Sequence, residues 1–344
     1  MRRGVCFVLA AIMVLSLVAC GKDTQEPTKE NTEATEQTTQ VTEATQATET
    51  VTEEPTSSKE TTGIHDIISL DFINTFDRNP AMEEPQTVYQ KDGLTVTAKS
   101  LKYDTVYGPQ ILLTVKNDGV QEILLQNAYT AVNGFMIKPE IDVKIPPRKK
   151  LDTQISLPYM QLAMADIHSL KEVVISLRIL DSKTFAVLDT TEPLSLKLTG
   201  TGKEEQTADE SGQLVYDDKG VKLILKGIKH DTLFENESAL LVYMVNDTDK
   251  TVSVGNNKLT VNGYDITTTM LTVLLPHTCA VDKIDLFDKE LEEYGISSLD
   301  SVKVSFDIND DETWKNIAQT DMIAVDTKTA EEESTAGEAT TEAK

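Results

Sequence analysis

The residues "QLVYDDKGVKLILKGI" at 213–228 decide the fold. Val221, Leu223 and Leu225 stand two apart, the period of a strand with one buried face, and "DDKG" before them is turn chemistry. The opening is a second use of the same design, because "QTVYQKDG" occupies 86–93, about 127 positions earlier. "KYDT" at 102–105 likewise returns as "KHDT" at 229–232. After a two-residue insertion the displacement becomes about 129. It holds through Asn117-Asp118 and Asn246-Asp247, "VNG" at 132–134 and 261–263, Pro147 and Pro276, and "IHSL" and "ISSL". It closes with "EVVISLRI" against "SVKVSFDI" and with Phe185 against Trp314. Matches at a constant offset mean that one domain of about 115 residues is present twice.

Each repeat carries alternating apolar residues with turn residues roughly every ten positions, as in "ILLTVKN" and "LLVYMVN". That is the pattern of short antiparallel strands. One helical stretch interrupts it, "YMQLAMADI" or "FDKELEEYGI", with leucines spaced for one buried face. Seven or eight strands and one helix per repeat predict an all-β protein: two tandem immunoglobulin-like antiparallel β-sandwich domains, each with one short helix, after a disordered stalk. The diagnostic cysteine pair is missing, and an open barrel is the competing fold. The boundaries read as repeat 1 at 85–199, a linker at 200–212 and repeat 2 at 213–327. The linker "GTGKEEQTADESG" is polar and glycine-flanked, which predicts flexibility between the two.

At the N-terminus, Arg2 and Arg3 precede an apolar run from Val5 to Ala19, and "LVAC" ends at Cys20. This reads as a secretion signal over 1–19. A small residue just before the cysteine resembles the lipobox of bacterial lipoproteins, so Cys20 is the expected lipidation site and mature N-terminus. Acyl chains buried in the bilayer would then anchor the chain, about 0.8 kcal/mol per methylene. Cys6 leaves with the signal, only Cys279 remains as a thiol, and no intramolecular disulfide is expected. The stretch 20–63 is almost entirely Thr, Glu, Gln and Ala, too polar to offset the entropy of ordering, and reads as a disordered stalk. The tail at 328–344 has the same composition. Between stalk and first repeat, 64–84 contains Ile64, Ile67, Ile68, Phe72, Ile73 and Phe76, which predicts a short segment docking on the first domain. A segment exposed for a partner is the other reading.

The segments "VYDDKGVKLILKGI", "VNGYDI", "DLFDKELEEYGI" and "VKVSFDINDDETW" resemble a repeat found in uncharacterised surface lipoproteins of Gram-positive, clostridia-like bacteria. The resemblance spans nearly all of 86–326 and implies an extracytoplasmic immunoglobulin-like module. No functional residue comes with it.

Composition narrows the partners. A formal net charge of −25 argues against nucleic acid and against a peripheral grip on anionic lipid. Membrane contact is expected through the lipid anchor only. The Asn-Gly pairs Asn133-Gly134 and Asn262-Gly263 suit a type I′ hairpin, and their neighbours Phe135 and Tyr264 suit core or cross-strand packing better than exposure. Lys102 and Lys229, Asp104 and Asp231, Thr105 and Thr232, Asn117 and Asn246, and Asp118 and Asp247 recur at strand ends. Asp and Asn there commonly bond the backbone of their own turn.

Three clusters offer chemistry. "DINDDE" at 307–312 supplies oxygens suited to Ca²⁺ but lacks the spacing of an EF-hand loop, and a solvated acidic loop reads as well. His277 and Cys279 stand two apart, so one strand would turn both to a single face, as a thiol and its base require. A lone cysteine is also an ordinary small hydrophobe. Arg148, Lys149 and Lys150 form a basic cluster, read as solvated, as an ion-pair partner for the other repeat or as a docking spot for an anion. His65, His168 and His230 lack metal-ligand spacing. The sequence therefore predicts neither catalysis nor a cofactor. It predicts a lipid-anchored binding, adhesion or scaffolding protein at the extracytoplasmic face of the cell membrane, its partner an envelope or extracellular protein or glycan. Capture of a small solute for uptake is the alternative.

Overall fold

The computed structural model describes residues 66–202, 206–231, 233 and 237–326. The signal, Cys20, the stalk, His65, Thr232 and the tail lie outside the described residues. The fold is all-β, with sheets whose strands run antiparallel within each repeat. Helix α1 (Leu70–Thr75) precedes the first repeat, which runs β1 (Gln86–Lys91), β2 (Leu94–Asp104), β3 (Gly108–Asn117), β4 (Ile123–Val132), β5 (Phe135–Ile137), β6 (Asp142–Ile145) and β7 (Lys149–Ser156). Helix α2 (Tyr159–Met164) follows, then β8 (Val173–Asp181), β9 (Val187–Thr190) and β10 (Leu194–Ser195). The second repeat has the same order: β11 (Gln213–Asp218), β12 (Val221–His230), β13 (Ser238–Asn246), β14 (Val252–Val261), β15 (Tyr264–Asp265), β16 (Leu271–Leu274) and β17 (Thr278–Leu286). Helix α3 (Asp288–Glu293) and strands β18 (Val302–Asp310), β19 (Asn316–Gln319) and β20 (Ile323–Ala324) complete it.

In the first repeat, β1-β2-β3-β7 form one sheet and β10-β8-β4-β5 the other, with β6 and β9 added at β4 and β8. Val96, Ile111, Leu113, Val115 and Ile155 face Leu125, Val173, Ile175 and Leu177 in a single core, all at most 1% exposed. The second repeat builds β11-β12-β13-β17 and β15-β14-β18-β19 around Leu223, Val242, Val254, Val304 and Phe306.

The polar linker predicts two loosely joined domains, and the structure corrects that expectation. Strand β5 of the first repeat pairs in parallel with β17 of the second at Phe135 and Cys279, so a six-stranded and a four-stranded sheet fuse into one of ten. Because the side chains of a strand alternate, each side of the fused sheet serves a different repeat. Phe135 faces Tyr243 with ring centroids 6.5 Å apart, and both belong to the first core. Met136, the next residue, packs in the second core. Lys138 forms an ion pair with Asp282 and donates from Nζ to the Leu271 carbonyl at 2.7 Å. Linker composition could not disclose this, since the contacts lie on strands far from the linker.

The apolar segment before the repeats straps the two together. Asp66 and Ile67 bridge alongside His230 of the second repeat, and the Ile67 side chain packs with Ala239, Leu241, Met160 and Met164. The chain then turns into α1, capped by the Ser69 hydroxyl accepting from the Phe72 amide at 3.1 Å. Phe72 and Phe76 lie on Tyr159 at 6.3 and 5.3 Å. The mixed apolar spacing of this segment has a plain cause: among its described residues only Leu70–Thr75 are helical, and those on either side are not.

Candidate functional site

The polar residues shared by both repeats hold loops together. Both Asn-Gly pairs adopt the left-handed backbone of their turn, with φ of 51° and 85° at Asn133 and Gly134, and 49° and 88° at Asn262 and Gly263. Their asparagines do more than bend the chain. Asn133 Nδ2 donates to the Ser169 carbonyl at 2.8 Å while Oδ1 accepts from the Lys171 amide at 2.8 Å. Asn262 repeats this with Ser298 and Ser301. Each "VNG" therefore pins the "HSL" or "SSL" loop that follows the helix, which explains why the two motifs recur together.

Asn117 donates to the carbonyls of Gln121 and Ile145, and Asn246 to those of Lys250, Leu274 and Leu275. Asp104 accepts from the Tyr107 and Val106 amides, which lower its pKa below the usual carboxylate range. Asp231 accepts from the Leu233 amide at 3.0 Å. Asp118 pairs with Lys116 at 2.6 Å. Burial pushes the Lys229 ammonium pKa down.

His277 and Cys279 do not form the pair their spacing predicts. His277 precedes β17 in a left-handed conformation, φ 57°, and its Nε2 faces Asp249 at 3.1 Å. The alternation rule applies inside a strand, and His277 is outside it. Cys279 sits at the junction, where burial raises its thiol to about 11, against a weaker opposing hydrogen bond from Tyr243. Nucleophilic cysteines need the opposite shift. Alkylation of Cys279 at pH 8 is expected to run about 100-fold slower than that of free cysteine, since the thiolate fraction falls tenfold per pKa unit. A rate near that of free cysteine in the native protein would contradict this placement. Of the other histidines, His168 meets Asp166 at 3.0 Å and lies on Phe72, and His230 Nδ1 lies 3.1 Å from the Ser238 hydroxyl.

The acidic stretch 307–312 is divided among separate partners. Asp310 takes the Thr313 hydroxyl and amide together with Lys250 at 3.1 Å, and these hold its carboxyl at about 2. Asn309 accepts from Asn316 Nδ2 at 3.3 Å, and burial raises the pKa of Asp311. Arg148, Lys149 and Lys150 are exposed at the free edge of the outer sheet of the first repeat. The ion pair between repeats is made by Lys138 instead.

The feature sequence reading missed as a site is a pair of aromatic fingertips. Phe185 and Trp314 end the loops "DSKTF" (181–185) and "DDETW" (310–314), which link β8 to β9 and β18 to β19. In each, the first aspartate accepts from loop amides, and the aromatic amide donates to that aspartate's carbonyl, at 2.9 Å for Phe185 and 2.8 Å for Trp314. The fifth position has φ of 58° and 55°. Glycine or asparagine ordinarily fills such a position, and a bulky residue there is a strained exception. Both repeats nevertheless place a large aromatic there, 61% exposed at Phe185 and 67% at Trp314. Exposed Val187 and Leu188 continue the apolar surface beside Phe185. The signal was in the sequence as an aromatic residue where D-x-x-T loops call for glycine.

No family model and no curated protein matches this chain. Among solved structures it is similar to the YadV chaperone, at 13% identity and a TM-score of 0.21, covering 63% of this chain and 92% of that one. It is also similar to a protein of unknown function from Porphyromonas gingivalis W83, at 11% identity and a TM-score of 0.18, covering 72% and 96%. Likenesses this low carry no functional conclusion. No helix among the described residues is long and apolar enough to cross a membrane.

Proposed function

We propose that this is a surface lipoprotein, anchored through Cys20 at the extracytoplasmic face of the cell membrane, whose immunoglobulin-like repeats bind an envelope or extracellular protein or glycan. Its work is adhesion or scaffolding and involves neither catalysis nor a cofactor. The observation that carries the binding reading is the pair Phe185 and Trp314. A left-handed backbone costs a residue with a side chain about 1–2 kcal/mol. Solvent exposure of a large aromatic returns nothing to the fold. A residue type that is unfavourable for stability and repeated in two domains is best accounted for by what it touches. The half-buried Cys279 thiol supports binding over chemistry, because its shift disfavours the nucleophilic form.

The test is capture of envelope material by the immobilised chain from Gly21 to Lys344, compared with the double variant Phe185→Gly/Trp314→Gly. Glycine removes both fingertips and relieves the backbone, so stability is expected to hold or rise. Saturable capture is expected to weaken at least tenfold, the scale of a lost aromatic contact at the centre of an interface. Capture unchanged in the double variant would overturn the reading.

A further inference from the structure

The two repeats share one fold, so the surface of the second that receives the first has a counterpart on the first. That counterpart is uncovered. In the second repeat, strand register sets Ile224 beside Tyr243 and Tyr243 beside Val281, with Val245 beside Cys279 in the adjoining row. These side chains pack against the core of the first repeat. The same register in the first repeat sets Thr97 beside Thr114 and Thr114 beside Asp152, with Lys116 beside Lys150. These five apolar positions of the covered face are thus threonine, lysine or aspartate on the uncovered one. The Thr114 hydroxyl donates to Asp152 at 2.5 Å, and Thr95, Thr97, Lys99, Thr114, Lys116 and Lys150 line a shallow open depression.

The inserting hairpin has changed in parallel. Phe135 and Met136, 3% and 8% exposed at the junction, correspond to Tyr264 and Asp265 in the second repeat. Tyr264 is 48% exposed and stacks on Tyr294 at 5.2 Å. An interface between a hairpin at one end and a sheet edge at the other is heterologous, and nothing in its geometry stops it from repeating between molecules. Unpaired sheet edges invite such growth, and lysine is a standard means of refusing it.

We infer that Thr97, Thr114, Lys116, Lys150 and Asp152 guard this face: they deny the free face of the first repeat to the Tyr264 hairpin of another molecule, so copies of the chain do not stack end to end. The excluded partner is a second copy of this chain, and the inference is independent of what the protein binds. Burying Lys116 and Lys150 under an incoming Tyr264 would strip two ammonium groups of water; Lys116 already shares Asp118 at 2.6 Å, and the incoming hairpin brings no carboxylate to Lys150, because Asp265 takes the place of Met136, on the opposite face of the strand.

Sedimentation of the chain from Gly21 to Lys344 tests this. The wild type is expected to stay monomeric up to about 100 µM at both low and high salt. A variant carrying the junction chemistry at both ends, Thr97→Ile, Thr114→Tyr, Lys116→Val, Lys150→Ala and Asp152→Val with Tyr264→Phe and Asp265→Met, is expected to gain mass with concentration without a fixed end-point. Wild-type self-association would overturn the inference. So would a variant that keeps its circular dichroism spectrum and remains monomeric. Should the seven-fold variant not fold, the milder pair Lys116→Val/Lys150→Ala is read in the same way, with association expected at the highest concentration and its absence counting against the guard.

Discussion

Phe135→Ala is expected to divide one cooperative unfolding transition into two. The ring is 3% exposed, lies 6.5 Å from Tyr243 and stands where β5 meets β17, so its removal opens a cavity between the repeats. Truncations of buried phenylalanine cost about 3–5 kcal/mol. Here the loss falls on the contact that couples two otherwise separate cores. The remaining couplings are Met136 in the second core, Ile224, Tyr243 and Val281 against the first, which lose their main aromatic partner, the partly exposed pair of Lys138 with Asp282, and Ile67 against Leu241. An exposed pair contributes at most about 1 kcal/mol. Calorimetry of the wild type should give a single transition and the variant two, the lower one from the repeat that loses more. A single transition in the variant, moved but undivided, would show that the junction does not carry the coupling.

Asn246→Ala is expected to destabilise the second repeat by about 3 kcal/mol or more. The side chain is fully buried and donates to the carbonyls of Lys250, Leu274 and Leu275 at 2.7, 3.1 and 3.0 Å. Its Oδ1 accepts from the Thr248 amide at 3.0 Å. Alanine removes the amide from all three carbonyls, of which those of Lys250 and Leu275 keep only the Thr248 and Thr278 hydroxyls, and each buried bond lost costs about 1–3 kcal/mol. The matching Asn117→Ala removes donors to two carbonyls and should cost less. Denaturant unfolding of both variants tests the order. Loss below about 1 kcal/mol at Asn246, or a larger loss at Asn117, would contradict the network described.

Much of this fold is legible in the sequence, for an identifiable reason. Alternation within "GVKLILKGI" and "ILLTVKN" is set by local pleat geometry, and a repeated sequence gives two readings of each strand and turn. Asn133 and Asn262 reveal their turns because positive φ demands such residues. Their second role, holding the loop after the helix, is not local and shows only when the loop folds back. The junction escapes for a similar reason. Phe135, Tyr243, Cys279 and Val281 look like any apolar strand residues, and only the contrast with Tyr264, Thr114, Lys150 and Asp152 marks them as contacts between repeats. The fingertips were legible in principle, because Phe185 and Trp314 break a turn rule in the same place.

Trp314 is the single tryptophan of the chain, so its emission reports on one fingertip without a label. The measurement that tests the binding account most directly is the fluorescence of the chain from Gly21 to Lys344, titrated with solubilised envelope material from which the protein has been removed. In the free chain the indole, 67% exposed, should emit as a solvated ring and be quenched readily by iodide. The account expects a saturable blue shift and loss of iodide quenching as material is added, absent in Phe185→Gly at equal concentration. Saturable binding seen by sedimentation with Trp314 emission and quenching unmoved would contradict it, and would place the contact elsewhere on the repeats.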